Sequence, residues 1–217
     1  MTLYLDSADL EEARLASSLG IVSGCTTNPT LLARAGHVRP IEALRQLANL
    51  FSGTVFYQVM AADAERMAQE APPFLDLGQN VGLKVPATLE GFKFAAGYSS
   101  RATVAMTGVF SPSQALLAAE AGAQFAIPYI NRLTRFVGDG AAVVGEIGAV
   151  LDGTACAVLV AGIKSPAEAV AARLAGADHL SLPLEVIKAM ADNALTTLAI
   201  REFESAWTSF TEKNRAR

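Results

Sequence analysis

The sequence predicts an α/β fold, a (β/α)8 TIM barrel with an additional C-terminal helix. Two observations predict it. Short apolar runs alternate with longer amphipathic stretches along the whole 217 residues, eight times and with short links. The first run, Leu3-Tyr4-Leu5-Asp6, leads into Ser7-Ala8-Asp9, and no glycine follows before Gly20. A doubly wound open sheet, the alternative architecture, would carry a glycine-rich phosphate loop at that turn.

Taken in order, strands are expected near Leu3–Asp6, Ser23–Thr27, Thr54–Met60, Val81–Pro86, Thr103–Gly108, Phe125–Tyr129, Ala157–Gly162 and His179–Leu182. Short, mostly apolar runs suit strands buried on both faces. The first helix, Ala8–Leu19, stops at Gly20, a C-cap residue. Ile41–Phe51 follows Pro40, and Ala64–Leu75 must break or kink at Pro72-Pro73. Leu89–Tyr98 follows the fourth strand. Pro112–Ala121 and Pro166–Leu174 open with Ser111-Pro112-Ser113-Gln114 and Ser165-Pro166-Ala167-Glu168, both capping boxes with proline at the first helical position. Ala141–Leu151 lies between glycines, and Leu184–Ala191 completes the eighth unit. The last helix, residues 194–211, puts Leu195, Leu198, Ala199, Phe203, Trp207 and Phe210 on one face. It is surplus to the barrel, so its apolar face is expected to pack on a neighbouring subunit. No linker or low-complexity tract divides the chain, and residues 1–217 are read as one barrel domain.

Composition narrows the function. Hydrophobic residues make up 52% and charged residues 18%, with a mean hydropathy of +0.33, so much surface must be buried. No apolar run reaches the length of a membrane span, and the N-terminus lacks the order of a signal peptide. A net charge of −4 without basic clusters argues against nucleic acid. Cys25 and Cys156 form neither a disulfide framework nor a metal spacing, and a reducing cytoplasm is the simple inference. His37 and His179 each stand alone and are read as structural.

Barrel strands end at the face where chemistry sits. Here nearly every expected strand ends near a polar residue: Asp6, Thr26 with Thr27 and Asn28, Gln58, Lys84, Thr107, Tyr129 with Asn131 and Arg132, and Ser181. Singly, each is an ordinary hydrogen bonder. A whole ring converging on one mouth is hard to explain by packing. Lys84, in Val81-Gly82-Leu83-Lys84-Val85-Pro86, is the most informative member. It is either a strand-end lysine reaching water or a buried amine. Burying an ammonium is costly, and a neutral buried amine attacks carbonyl carbon to form a Schiff base. Asp6 would offset some ammonium burial, Gln58 and Thr107 could hold a water, Asn28 could bind a sugar hydroxyl, and Tyr129 could act as acid or base. An iminium is its own electron sink, so no cofactor and no metal is called for. Arg132 and the Gly162-Ile163-Lys164 link into a helix suggest an anion site, because helix N-termini attract phosphate.

Leu3-Tyr4-Leu5-Asp6, Thr26-Thr27-Asn28-Pro29-Thr30, Gln58-Val59-Met60, Lys84-Val85-Pro86, Pro128-Tyr129-Ile130-Asn131-Arg132 and Leu182-Pro183-Leu184 together resemble the short-chain transaldolases, and more closely their fructose-6-phosphate aldolase branch. The likeness runs from about Leu3 to Trp207. It implies Lys84 as the Schiff-base lysine, Asp6 and Asn28 as partners of the dihydroxyacetone portion, and Arg132 as a phosphate ligand. It also implies decamers of two stacked pentamers, with the last helix reaching a neighbour. Transaldolases carry glutamate where this chain has Gln58 and phenylalanine where it has Tyr129, whereas the aldolase branch carries glutamine and tyrosine. The resemblance therefore implies an aldolase acting on sugar phosphates, with transaldolase second and a catalytically silent sugar-phosphate-binding barrel third. One position departs: the family usually has serine where Gly162 stands, a loss of one neutral hydrogen bond of roughly 0.5–1.5 kcal/mol.

Overall fold

Alternate residues of a strand point to opposite faces, and the two faces of this sheet bury different things. In the computed structural model, which describes residues 1–215, eight parallel strands close into a barrel in chain order. They are β1 (Thr2–Asp6), β2 (Val22–Thr26), β3 (Val55–Gln58), β4 (Val81–Pro86), β5 (Val104–Val109), β6 (Phe125–Pro128), β7 (Ala157–Val160) and β8 (His179–Leu182), with β8 pairing back onto β1. Tyr4, Phe56, Ala105, Ile127, Leu159 and Ala161 form a core of their own inside the ring. Leu5, Cys25, Leu83, Val85 and Met106, offset by one residue from inward positions, join the larger core between strands and helices.

Two glycines make room for the inner aromatics. A Cβ on Gly24 would lie 2.7 Å from the Tyr4 ring, and one on Gly82 would lie 2.8 Å from the Phe56 ring. Lys84 is two residues beyond Gly82, so it shares the inward face, one layer nearer the C-terminal mouth.

The helices are α1 (Leu10–Ser18), α2 (Pro29–Arg34), α3 (Pro40–Leu50), α4 (Ala64–Glu70), α5 (Pro72–Leu75), α6 (Leu89–Tyr98), α7 (Pro112–Glu120), α8 (Ile130–Val137), α9 (Gly140–Leu151), α10 (Pro166–Leu174), α11 (Leu184–Ala191) and α12 (Ala194–Arg215). The break expected at Pro72-Pro73 separates α4 from α5. Ser111 and Ser165 cap α7 and α10 as expected, accepting from Gln114 N at 3.3 Å and Glu168 N at 3.2 Å. The return bonds differ from a capping box. Gln114 and Glu168 reach Phe110 N and Lys164 N, one residue before each serine.

Other departures lie at strand ends. β2, β3, β6 and β7 stop one or two residues before their expected limits, and α12 runs past Thr211 to Arg215. Tyr129 is thus the N-cap residue of α8, joined to Ala161 by an isolated bridge, and Gly162 stands outside β7 with φ +66°. Helices α2 and α8 were not expected. No helix among the described residues is long and apolar enough to cross a membrane.

Candidate active site

The strands' C-terminal ends open into a cavity of about 550 Å³. Asp6 from β1, Gln58 from β3 and Lys84 from β4 line it beside Asn28, the N-cap of α2. Tyr129, Asn131 and Arg132, at the start of α8, and Gly162 and Lys164, before α10, complete the far side. Of the expected site residues, nine therefore share one cavity. Thr26, Thr107 and Ser181 do not line it; they are buried behind the wall. A larger cleft of about 700 Å³ lies elsewhere, at the strands' N-terminal ends near Ala157 and His179.

Lys84 is the one buried cation among the described residues, 2% exposed. Its Nζ donates to the Thr27 carbonyl at 3.2 Å, and Gln58 is its register partner on β3. No carboxylate lies within 4.0 Å of that nitrogen among the described residues, so it is held by a neutral acceptor rather than an ion pair. Asp6 is oriented from behind. Thr26 Oγ1 donates to Asp6 Oδ1 at 3.0 Å and lies 2.7 Å from Ser181 Oγ. A hydroxyl has one proton, so Ser181 donates to Thr26 and Thr26 to Asp6. That chain leaves Asp6 Oδ2 for the cavity.

Tyr129 is fixed by three contacts. Its Oη is 2.5 Å from Thr107 Oγ1, its ring meets Phe110 edge-on at 5.6 Å, and the Arg132 guanidinium lies 5.4 Å from its centroid. A Cβ on Gly162 would come 3.2 Å from Tyr129 Cβ, so a side chain there would crowd the tyrosine.

The side of the cavity formed by α8 and the link before α10 is tied together by Glu168, a residue the sequence had offered only as part of a helix cap. Its Oε1 accepts from Asn131 Nδ2 and its Oε2 from Lys164 N, both at 2.7 Å. One carboxylate thus joins the start of α8 to the link before α10. Asn131 lines the cavity and gives one of its two amide protons to Glu168. Arg34 and Arg135 also line the cavity and were not among the expected residues. Both sit on helices missed in the sequence, one at the end of α2 and one in the last turn of α8. The proline after Asn28 was the signal for α2.

Cys25, beside this site, is no rival nucleophile. Burial pushes its thiol up to about 12, and its Sγ donates to Ser7 O at 3.0 Å.

Residues 3–216 match the family model of transaldolase/fructose-6-phosphate aldolase. The chain belongs to this family. A probable transaldolase of Aquifex aeolicus is 35% identical over 217 residues, covering 98% of this chain and 99% of that protein. A probable transaldolase of Desulforudis audaxviator is 38% identical over 210 residues, covering 95% and 97%. Among solved structures, mandelate oxidase with (S)-2-phenylpropionate superposes with a TM-score of 0.61 at 19% identity, over 85% of this chain. The chain spans 64% of that oxidase's length, and the likeness shows the barrel fold alone. Members of the transaldolase/fructose-6-phosphate aldolase family are enzymes of sugar-phosphate chemistry.

Proposed function

We propose that the chain is a class I aldolase that reversibly cleaves fructose 6-phosphate to dihydroxyacetone and glyceraldehyde 3-phosphate through a Schiff base on Lys84. The observation that carries the reading is the buried Lys84 amine facing one cavity with Asp6 and Tyr129. The amine adds to the ketose carbonyl carbon, and loss of water leaves an iminium. Tyr129, directly or through a water held by Gln58, takes the proton of the hydroxyl two carbons away. The carbon–carbon bond then breaks, and its electron pair moves into the iminium to give an enamine. Glyceraldehyde 3-phosphate leaves. Tyr129 returns a proton to the enamine carbon, and water releases dihydroxyacetone and the free amine. Asp6 and Asn28 hold hydroxyls of the three-carbon unit. Arg132, the Lys164 side chain and the Gly162 N–H hold the phosphate. No resident cofactor is invoked.

Transaldolase is the second reading, favoured by the names of the relatives. In that case the enamine waits for an aldose phosphate instead of being protonated. Gln58 and Tyr129 support the aldolase, because an amide is no acid or base and a phenol can supply the proton. The family's homodecamer, with α12 on a neighbour, is part of the proposal.

Borohydride reduction in the presence of dihydroxyacetone, read by mass spectrometry, tests the chemistry. A mass gain on the Lys84 peptide that Lys84→Ala abolishes is expected. An unmodified peptide would leave the silent barrel as the better reading. Aldol addition with free dihydroxyacetone as donor is expected as well; a strict need for a ketose donor would mean transaldolase. Tyr129→Phe should slow cleavage more than imine formation, and equal slowing of both would refute the proton-transfer role.

A further inference from the structure

We infer that Arg34 and Arg135 form a second anion subsite at the cavity mouth, so that this chain takes sugar phosphates or aldehydes carrying a further anionic group at their phosphate end. Five of the fifteen residues lining the cavity are lysine or arginine, against 17 in 217 for the chain, whose net charge is −4. Asp6 is the only carboxylate among them. Like charges at one mouth repel, and pairing relieves that repulsion. Elsewhere Arg14, Arg39, Arg66 and Lys93 each meet a carboxylate three residues away, whereas Arg45, Arg101, Arg173, Lys188, Arg201 and Lys213 meet none within 4.0 Å among the described residues. At the mouth, no carboxylate among the described residues comes within 4.0 Å of Arg34, Arg132, Arg135 or Lys164.

Of the acids beside the mouth other than Asp6, all but Glu185 are committed to other donors. Glu168 serves Asn131 and the Lys164 N–H. Arg34 and Lys164 also border an adjoining cleft that contains Asp9, Glu12 and Glu185. There Asp9 caps α1, Glu12 accepts the Ser7 hydroxyl, and Glu185 makes no ion pair.

Charge matching then leaves a surplus. Asp6 offsets Lys84. A phosphate monoester carries roughly two negative charges near neutral pH, which Arg132 and Lys164 match. Arg34 and Arg135 remain. Arg135 stands three residues after Arg132 on α8, hence on the same helix face. Arg34 lines both clefts with Lys164, and Arg135 lines the larger of the two. A guanidinium fork suits a phosphate or carboxylate.

The inference rests on reading the Arg132–Lys164 end as the phosphate end. It is tested with inorganic phosphate and pyrophosphate as probes, by calorimetric titration of the full chain at one ionic strength. Pyrophosphate is expected to bind at least about tenfold more tightly than phosphate. That ratio should collapse in the Arg34→Gln/Arg135→Gln double variant and persist in Arg14→Gln, which removes a cation already paired with Glu11. Equal affinities in the unaltered chain, or a ratio that survives the double substitution, would overturn the subsite. Binding of neither anion would remove the phosphate end and the subsite together. Dihydroxyacetone trapping reports on Lys84 separately, so the failure of one reading is not the failure of the other.

Discussion

His179 and Lys84 mark opposite ends of the same barrel interior, and their surroundings set opposite demands. At the N-terminal end, the imidazole of His179 meets Phe125 at 5.5 Å and Tyr4 at 6.1 Å, both edge-on, and its Nδ1 is buried with no partner. Burial holds this histidine below its ordinary 6.5, with the Asp178 carboxylate opposing the shift. The sign follows. Above the ordinary value the ring is neutral in both states and costs nothing. As pH falls below it, the unfolded chain takes the proton first, so stability declines until pH passes the lowered folded value. His179→Phe keeps an aromatic body in that enclosure and removes the titration. The drop in unfolding midpoint between about pH 7.5 and pH 5.5 should narrow in that variant; a drop of unchanged size would place the acid sensitivity elsewhere. Lys84 faces the other end, where a polar cavity gives its amine a neutral acceptor and room for a substrate. The same inward alternation along β4 and β8 produces both environments.

Among the elements, α8 and α10 depend on each other through Glu168. Replacing it by alanine leaves the Asn131 amide and the Lys164 N–H without their acceptor. The expected loss is about 1–3 kcal/mol, read by urea unfolding, with Glu168→Gln recovering part of it through its remaining oxygen. Equal stability of the alanine variant would mean that water replaces the carboxylate at no cost. This tie also shows why the site was only partly legible in the sequence. The strands announced themselves, because runs such as Val81–Pro86 and His179–Leu182 are short, apolar and bounded, and the structure has both at those limits. Lys84, Asp6 and Gln58 could be read because a polar residue ending a buried strand has few other places to go. Helices α2 and α8 could not be read from periodicity, being short and placed directly after strand ends. With them went Arg34 and Arg135. Thr26, Thr107 and Ser181 were recognisable as polar residues near strand ends, but they are buried and hydrogen-bond one another, Asp6 or Tyr129 instead of lining the cavity.

For the whole molecule the unresolved demand is α12. From Ala194 to Asn214 every side chain is exposed except Ala199 and Thr211, which are half-buried. Leu195, Phe203 and Trp207 are 74%, 72% and 67% exposed, and Trp207 stacks only on Phe210 of the same helix. Helices owe most of their stability to packing an apolar face, and a stripe of this kind left in water marks an interaction surface. The barrel itself is closed by β8 and α11, so α12 has no place left to fill on its own subunit. We therefore expect sedimentation to give a species several times the 22.7 kDa chain mass, with ten copies as the family-based expectation. Phe203→Glu combined with Trp207→Glu should release smaller species and reduce helix content. A 22.7 kDa particle for the unaltered chain at micromolar concentration would refute the assembly. The dissociated variant also separates two ways in which assembly could matter. Lys84, Asp6 and Tyr129 are all supplied by one chain, so dihydroxyacetone trapping should survive dissociation. Its loss would mean that a neighbour's α12 closes the mouth and helps keep the amine dry, making the oligomer part of the catalytic unit.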